Sequence, residues 1–124
     1  MVKLMYALRR RADLSRDEFQ RYWHGQHAPL VRRHAAALGI RRYVQVHTAY
    51  DEATRALPGV RGPMAEPYDG VAELWWDSLD DLAARLATPA GIEGARALAD
   101  DERAFIDFAR SSMWLADERV VIDG

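Results

Sequence analysis

Residues 2–23 read VKLMYALRRRADLSRDEFQRYW, and the change of period within this stretch sets the class of fold. From Val2 to Leu8 the side chains alternate, so Leu4, Tyr6 and Leu8 share one face of a strand and Lys3, Met5 and Ala7 the other. The period then lengthens. Ser15 is placed to cap a helix whose third residue is Glu18, which makes a capping box. Leu14 before the cap and Phe19 at the fourth position make the matching hydrophobic staple, and Tyr22 and Trp23 continue the helical spacing.

Downstream, Gly25 weakens this helix, and Pro29 disfavours helical geometry at Ala28. A kink or break is expected between Gly25 and Pro29, followed by a second helical piece from Leu30 to Leu38 that stops at Gly39. Ile40–Thr48 reads as a strand with Tyr43, Gln45 and His47 on one face. From Ala49 to Pro67 no period survives and prolines and glycines punctuate the chain, so a long loop is expected. Tyr68–Asp77 is a third strand, with Asp69, Val71, Glu73 and Trp75 opposite Gly70, Ala72, Leu74 and Trp76. Ser78 caps the next helix, Pro89 opens another that reaches Phe108, and Met113–Ile122 forms the last strand.

The order βαββαβ predicts a single α+β domain over residues 1–124, a ferredoxin-like antiparallel sheet with helices on one face. Trp75, Trp76 and Trp114 cannot all lie under two helices, so the other face needs cover. Pairing with a second copy as a homodimer is expected.

The 124 residues amount to one domain, and 49% hydrophobic content suffices for a core. A formal charge of -2 supplies no electrostatic reason to bind nucleic acid or an anionic membrane. Cysteine is absent, which removes disulfides, thiolate metal sites and cysteine nucleophiles. The apolar start meets Arg9-Arg10-Arg11 at once, the reverse of a secretory signal's order, and a cytoplasmic location is expected. No phosphate loop, nucleotide fingerprint or His-Glu-x-x-His pattern is present, so neither a cofactor nor a metal is expected.

Two stretches carry a resemblance. Phe19-Gln20-Arg21-Tyr22-Trp23-His24-Gly25-Gln26-His27-Ala28-Pro29-Leu30 and Tyr68-Asp69-Gly70-Val71-Ala72-Glu73-Leu74-Trp75-Trp76-Asp77-Ser78-Leu79-Asp80-Asp81-Leu82 resemble the EthD-like family, as does the run from Asp101 to Ile122 with Phe105-Ile106-Asp107. The likeness spans nearly the whole chain and fails only between Ala49 and Pro67. It implies a dimeric α+β barrel, in which two ferredoxin-like sheets face each other with the helices outside. The family is named after a gene cluster for ethyl tert-butyl ether breakdown. Similar folds serve muconolactone methyl-isomerases, polyketide-tailoring dehydratases and decarboxylases, and cofactor-free monooxygenases. Their shared theme is a small apolar cavity with one or two proton-transfer groups. Fold-level likeness does not select among these reactions.

Candidate residues follow. His27, at the expected break, has a side chain that titrates near neutrality, so it either moves a proton or bonds a freed carbonyl at the kink. The family motif includes it. His47 and Tyr43 share a strand face that is either solvated or the polar wall of a cavity. Asp69 either orients a histidine or caps the turn before Gly70, while Glu73 suits an ion pair with an arginine across a dimer interface. Tyr6 and Tyr22 either touch substrate or pack in the core, and Trp75 completes the row of Asp69 and Glu73. His24 and His34 read as surface residues, and Arg9-Arg10-Arg11 and Arg32-Arg33 as solvated faces beside the acidic Asp100-Asp101-Glu102. Together these residues point to an enzyme without a cofactor, acting by histidine acid–base chemistry on a small apolar carbonyl, aromatic or polyketide-like compound. The alternative is a non-catalytic dimer that binds a hydrophobic small molecule or an oxygenase partner.

Overall fold

A computed structural model describes all residues, Met1–Gly124. Four strands, β1 (Val2–Leu8), β2 (Arg42–His47), β3 (Gly70–Trp76) and β4 (Ser112–Ala116), form one antiparallel sheet in the order β2-β3-β1-β4. The helices are α1 (Arg16–Tyr22), α2 (Ala28–Leu38), α3 (Asp51–Ala56), α4 (Leu79–Leu86) and α5 (Pro89–Glu102). Element order and strand order together are those of a ferredoxin-like α+β fold. No helix is long and apolar enough to cross a membrane.

The capping box forms as the sequence requires. Ser15 Oγ accepts from the Glu18 amide and the Glu18 carboxylate accepts from the Ser15 amide. Phe19 is thereby delivered to the centre of the core, where it, Trp23, Phe105 and Leu8 are the largest fully buried side chains. Burial of each contributes about 1.5–3 kcal/mol.

The break expected between Gly25 and Pro29 does not occur. Trp23–His27 winds as a single π-helical turn that runs directly into α2, and the backbone stays right-handed helical at Tyr22, Trp23, His27 and Ala28. The Ala28 amide reaches back five residues to the Trp23 carbonyl. Widening by one residue accommodates Gly25 and seats Pro29 in the first turn of α2, where its missing donor does no harm. The chain leaves α2 through Gly39, at φ 73°, a conformation that favours glycine.

Three other expectations need correction. The 49–67 segment holds α3 and a 3₁₀ turn at Gly59–Arg61, with Asp51 and Glu52 favourably placed in the helix's first turn. Helix α5 ends at Glu102 rather than Phe108, because Phe105 is buried in the core and Ile106 pairs with Arg10 beyond the end of β1. Strand β4 ends at Ala116, opposite Lys3, where β1 has almost run out of residues to pair with.

Asp69 joins the two halves of the chain. Its side chain, 4% exposed, accepts from the Arg10 amide at 2.8 Å, the Arg10 guanidinium at 2.7 Å and Arg16 Nε at 2.9 Å. Burial pushes its carboxyl up, but these donors outweigh burial and hold its pKa below the ordinary value. The two arginines are partly exposed, which reduces what the pairs contribute. Replacing Asp69 by Ala is expected to lower stability by about 2–3 kcal/mol in denaturant unfolding, whereas Asp13→Ala, in an exposed pair with Arg11, leaves the unfolding midpoint nearly unchanged.

Candidate functional site

Leu4, Tyr6 and Leu8 of β1 and Ala72, Leu74 and Trp76 of β3 face the helices, as the strand periods predict. Helices and sheet do not close completely on one another. Between them lies a cavity of about 300 Å³ lined by 20 residues, 18 of them hydrophobic. The other two are His27 and Glu102.

His27 comes from the π turn and Glu102 from the last residue of α5. The imidazole is held at one end, Nδ1. Asp101 Oδ2 lies 2.8 Å from Nδ1, and Asp101 Oδ1 accepts the Tyr22 hydroxyl at 2.6 Å. A carboxylate accepts, so Nδ1 carries the hydrogen and the Nε2 lone pair faces Glu102 Oε2, 3.8 Å away. That separation exceeds a hydrogen bond. The other Glu102 oxygen accepts from the Tyr6 hydroxyl at 2.9 Å. Phe105, 5.1 Å from the imidazole centre to centre, closes this end of the site.

The cavity sets how these groups titrate. Burial pushes the Glu102 carboxyl up to about 7, with the Asp101 charge adding and the Tyr6 hydrogen bond opposing. Burial draws His27 below the usual imidazole value, and the Asp101 contacts only partly offset this. Near neutral pH the site therefore holds a neutral imidazole beside a carboxyl that is partly protonated. The Tyr6 hydroxyl is pushed far up by burial and by Glu102. Tyr22, through its bond to Asp101, is raised to about 12.

Of the residues singled out from sequence, His27, Tyr6 and Tyr43 line the cavity. Tyr22 stands behind it and holds Asp101. His47 lies outside, stacked on Trp23 with ring centres 4.6 Å apart, and donates from Nε2 to Gln45 Oε1. The Gln45 amide donates in turn to the Tyr43 hydroxyl and the Trp23 carbonyl, so His47 reaches the cavity only through this chain. Asp69 touches no histidine; the two arginines and the Arg10 amide occupy it. Trp75 is on the opposite sheet face, between Lys3 and Arg42, with its indole N–H on Glu118. Glu73, also on that face, pairs with Lys3 and not with an arginine.

Asp101 and Glu102 escaped the sequence reading because they sit in an acidic run that resembles a solvated face. The signal was present in the helical spacing. Ala95, Leu98, Ala99 and Glu102 fall at i, i+3, i+4 and i+7, which places Glu102 on the apolar row of α5.

The EthD domain model matches residues 11–109, a span that includes the π turn, the sheet edge and all of α5. The chain belongs to the EthD domain family. Among solved structures, this EthD protein is similar to an ethyl tert-butyl ether D (EthD) family protein from Bacillus halodurans, at 21% identity and a TM-score of 0.63, covering 96% of this chain and 99% of that one. It is also similar to a dimeric protein of unknown function and ferredoxin-like fold from Bacteroides fragilis, at 14% identity and a TM-score of 0.57, covering 94% and 95%. A third is SnoaB, a cofactor-independent oxygenase from Streptomyces nogalater, at 17% identity and a TM-score of 0.52, covering 99% and 97%. At these identities the likeness shows the fold. Comparison with curated proteins gave no match.

A raised carboxyl in the folded state means that the unfolded chain releases this proton first as pH rises. Stability supplied by Glu102 is therefore full below the unfolded value, 4.5, and is lost as pH rises through about 7. Glu102→Gln removes this dependence. Thermal unfolding is expected to show wild type losing up to about 3 kcal/mol relative to the variant between about pH 5 and about pH 8.5. Parallel curves for the two proteins would show that Glu102 titrates normally. His27, lowered by burial, acts oppositely: its contribution is lost as pH falls below its unfolded value, 6.5.

Proposed function

We propose that this EthD protein is a cofactor-independent proton-transfer enzyme acting on a small apolar carbonyl or aromatic compound. The observation that carries this is the His27–Glu102 gap. Two groups whose protonation burial shifts in opposite senses face each other at 3.8 Å in an otherwise apolar cavity, and each has its other polar atom already engaged. Residues tuned to opposite protonation states in one pocket are suited to act as base and acid.

In this reading His27 Nε2 removes a proton from a carbon next to the substrate carbonyl. The C–H electron pair moves into a C=C bond while the carbonyl oxygen takes the Glu102 proton, leaving an enol, an imidazolium and a carboxylate. Asp101 stabilises the imidazolium, and Tyr22 holds Asp101 in place. Tyr43 donates a second hydrogen bond to the substrate oxygen; its hydroxyl oxygen already accepts from Gln45, which lowers the pKa that burial has raised. His47, at the far end of the Gln45 chain, is a positioning residue for Tyr43. Isomerisation, dehydration and oxygenation of such a substrate share this first proton abstraction, whereas decarboxylation reaches the same enol by losing carbon dioxide, with Glu102 again protonating the carbonyl oxygen.

The homodimer belongs to the same proposal. Val46 and Trp114, each 46% exposed, belong to the sheet face turned away from the helices, and two structural neighbours are dimeric ferredoxin-like proteins. A second copy covering this face would complete an α+β barrel and leave each cavity within its own subunit.

The test needs no knowledge of the natural substrate. With 2-tetralone in D₂O as probe, wild type is expected to accelerate deuterium exchange beside the carbonyl, followed by NMR. His27→Ala and Glu102→Gln each lower that rate by about 10²-fold or more. The wild-type rate rises with pH as His27 becomes neutral and falls through about 7 as Glu102 ionises. Glu102→Gln removes the falling limb. Bound ketone with no exchange above the buffer rate would favour a binding protein over an enzyme.

A further inference from the structure

His24, Ala28 and Arg32 stand four residues apart along the helix that begins in the π turn. They face Tyr43, Gln45 and His47, the alternate residues on one face of β2. β2 is an edge strand, so helix row and strand row enclose a groove of about 410 Å³ open along the sheet edge. Its three ionisable side chains other than Tyr43 are all basic, and no carboxylate lines it. Elsewhere in this protein arginines are commonly met by aspartates, as Arg10, Arg16, Arg41 and Arg85 are.

We propose that this groove binds an oxyanion, the carboxylate or phosphate group of a small molecule, through Arg32, His24 and His47. The polar groups are already oriented for it. Gln45 Nε2 donates to the Trp23 carbonyl and to the Tyr43 hydroxyl, which leaves Gln45 Oε1 to accept from His47 Nε2. The nitrogen left for a ligand is His47 Nδ1, which becomes a donor when the ring is protonated. Stacking on Trp23 and the 6.0 Å approach of His24 fix the plane of the imidazole. Burial, and then the charge of His24, hold the His47 pKa below its usual value. An anion seated between the two rings and the Arg32 guanidinium reverses the second of these effects. Arg32 adds the planar, paired donors that match carboxylate and phosphate oxygens.

The groove and the cavity share one wall, Tyr43. An anion on His47 is therefore connected, through Gln45, to a hydroxyl inside the cavity. This site is independent of whether the cavity is catalytic, since its groups lie outside it.

The measurement is histidine NMR on the labelled full chain, titrated at constant ionic strength with inorganic phosphate or with benzoate. The His24 and His47 ring signals are expected to shift to saturation, with the His47 pKa rising, while His34 does not respond. Arg32→Ala, at an exposed position where folding is checked by circular dichroism, weakens the binding about tenfold. Saturation by phosphate alone or by benzoate alone identifies which oxyanion the groove takes. Shifts that never saturate, that chloride reproduces, or that Arg32→Ala leaves unchanged would overturn the proposal.

Discussion

Trp23 packed against Gly70 is the contact on which the rest of the structure depends. A β-carbon built on Gly70 would lie 2.5 Å from the indole, so only glycine at the start of β3 lets the ring come so close. The fully buried indole fixes the end of α1 against the sheet. Its backbone carbonyl accepts both the Ala28 amide, which defines the π turn, and the Gln45 side chain, which ties that turn to β2. Without this wedge there is no reason for the helix to widen at Gly25 or for His27 to turn toward the cavity.

The second constraint is the incomplete closure of helices on sheet. Protein interiors usually pack to crystal-like density, and an apolar void forfeits dispersion contacts. Here the void is bordered by a glutamate and a histidine that burial drives in opposite directions, toward protonation for one and away from it for the other. Each is kept in place by a partner at the cavity's margin, Tyr6 for Glu102 and Asp101 for His27. Apart from His27 Nε2 and Glu102 Oε2, which face each other across the cavity, the polar side chains here are satisfied, and no fully buried side-chain nitrogen or oxygen lacks a hydrogen bond. The stability given up by the void and the strained ionisation is borne by the Phe19, Trp23 and Phe105 cluster next to it.

The charged residues divide by the face they occupy. On the helix side, Asp101 and Glu102 serve the cavity. At the junction of β1 and β3, Asp69 is consumed by Arg10 and Arg16. On the far face, Lys3 and Glu73 pair among Trp75 and its neighbours. Residue type alone would have made Asp69 the natural partner for a histidine; its three donors leave it no such role.

Local patterns were legible where a short-range rule governs. The capping box at Ser15, the alternation of β1 and β3, and the stop at Gly39 each depend on residues within a few positions of one another, and all three stand as read. The EthD likeness was legible too, because its motifs lie in contiguous stretches. The lining of the cavity was legible only in part. His27 and Tyr6 could be named, since a motif carried one and a strand face the other. Their hydrogen-bond partners could not, because Asp101 and Glu102 are 74 and 96 residues away along the chain and meet them only when α5 docks. Equally, the π turn that replaced the expected break depends on a Trp23 carbonyl shared with β2. Such pairings arise from packing between distant elements, and burial, which sets the ionisation of Glu102 and His27, exists only once that packing is complete.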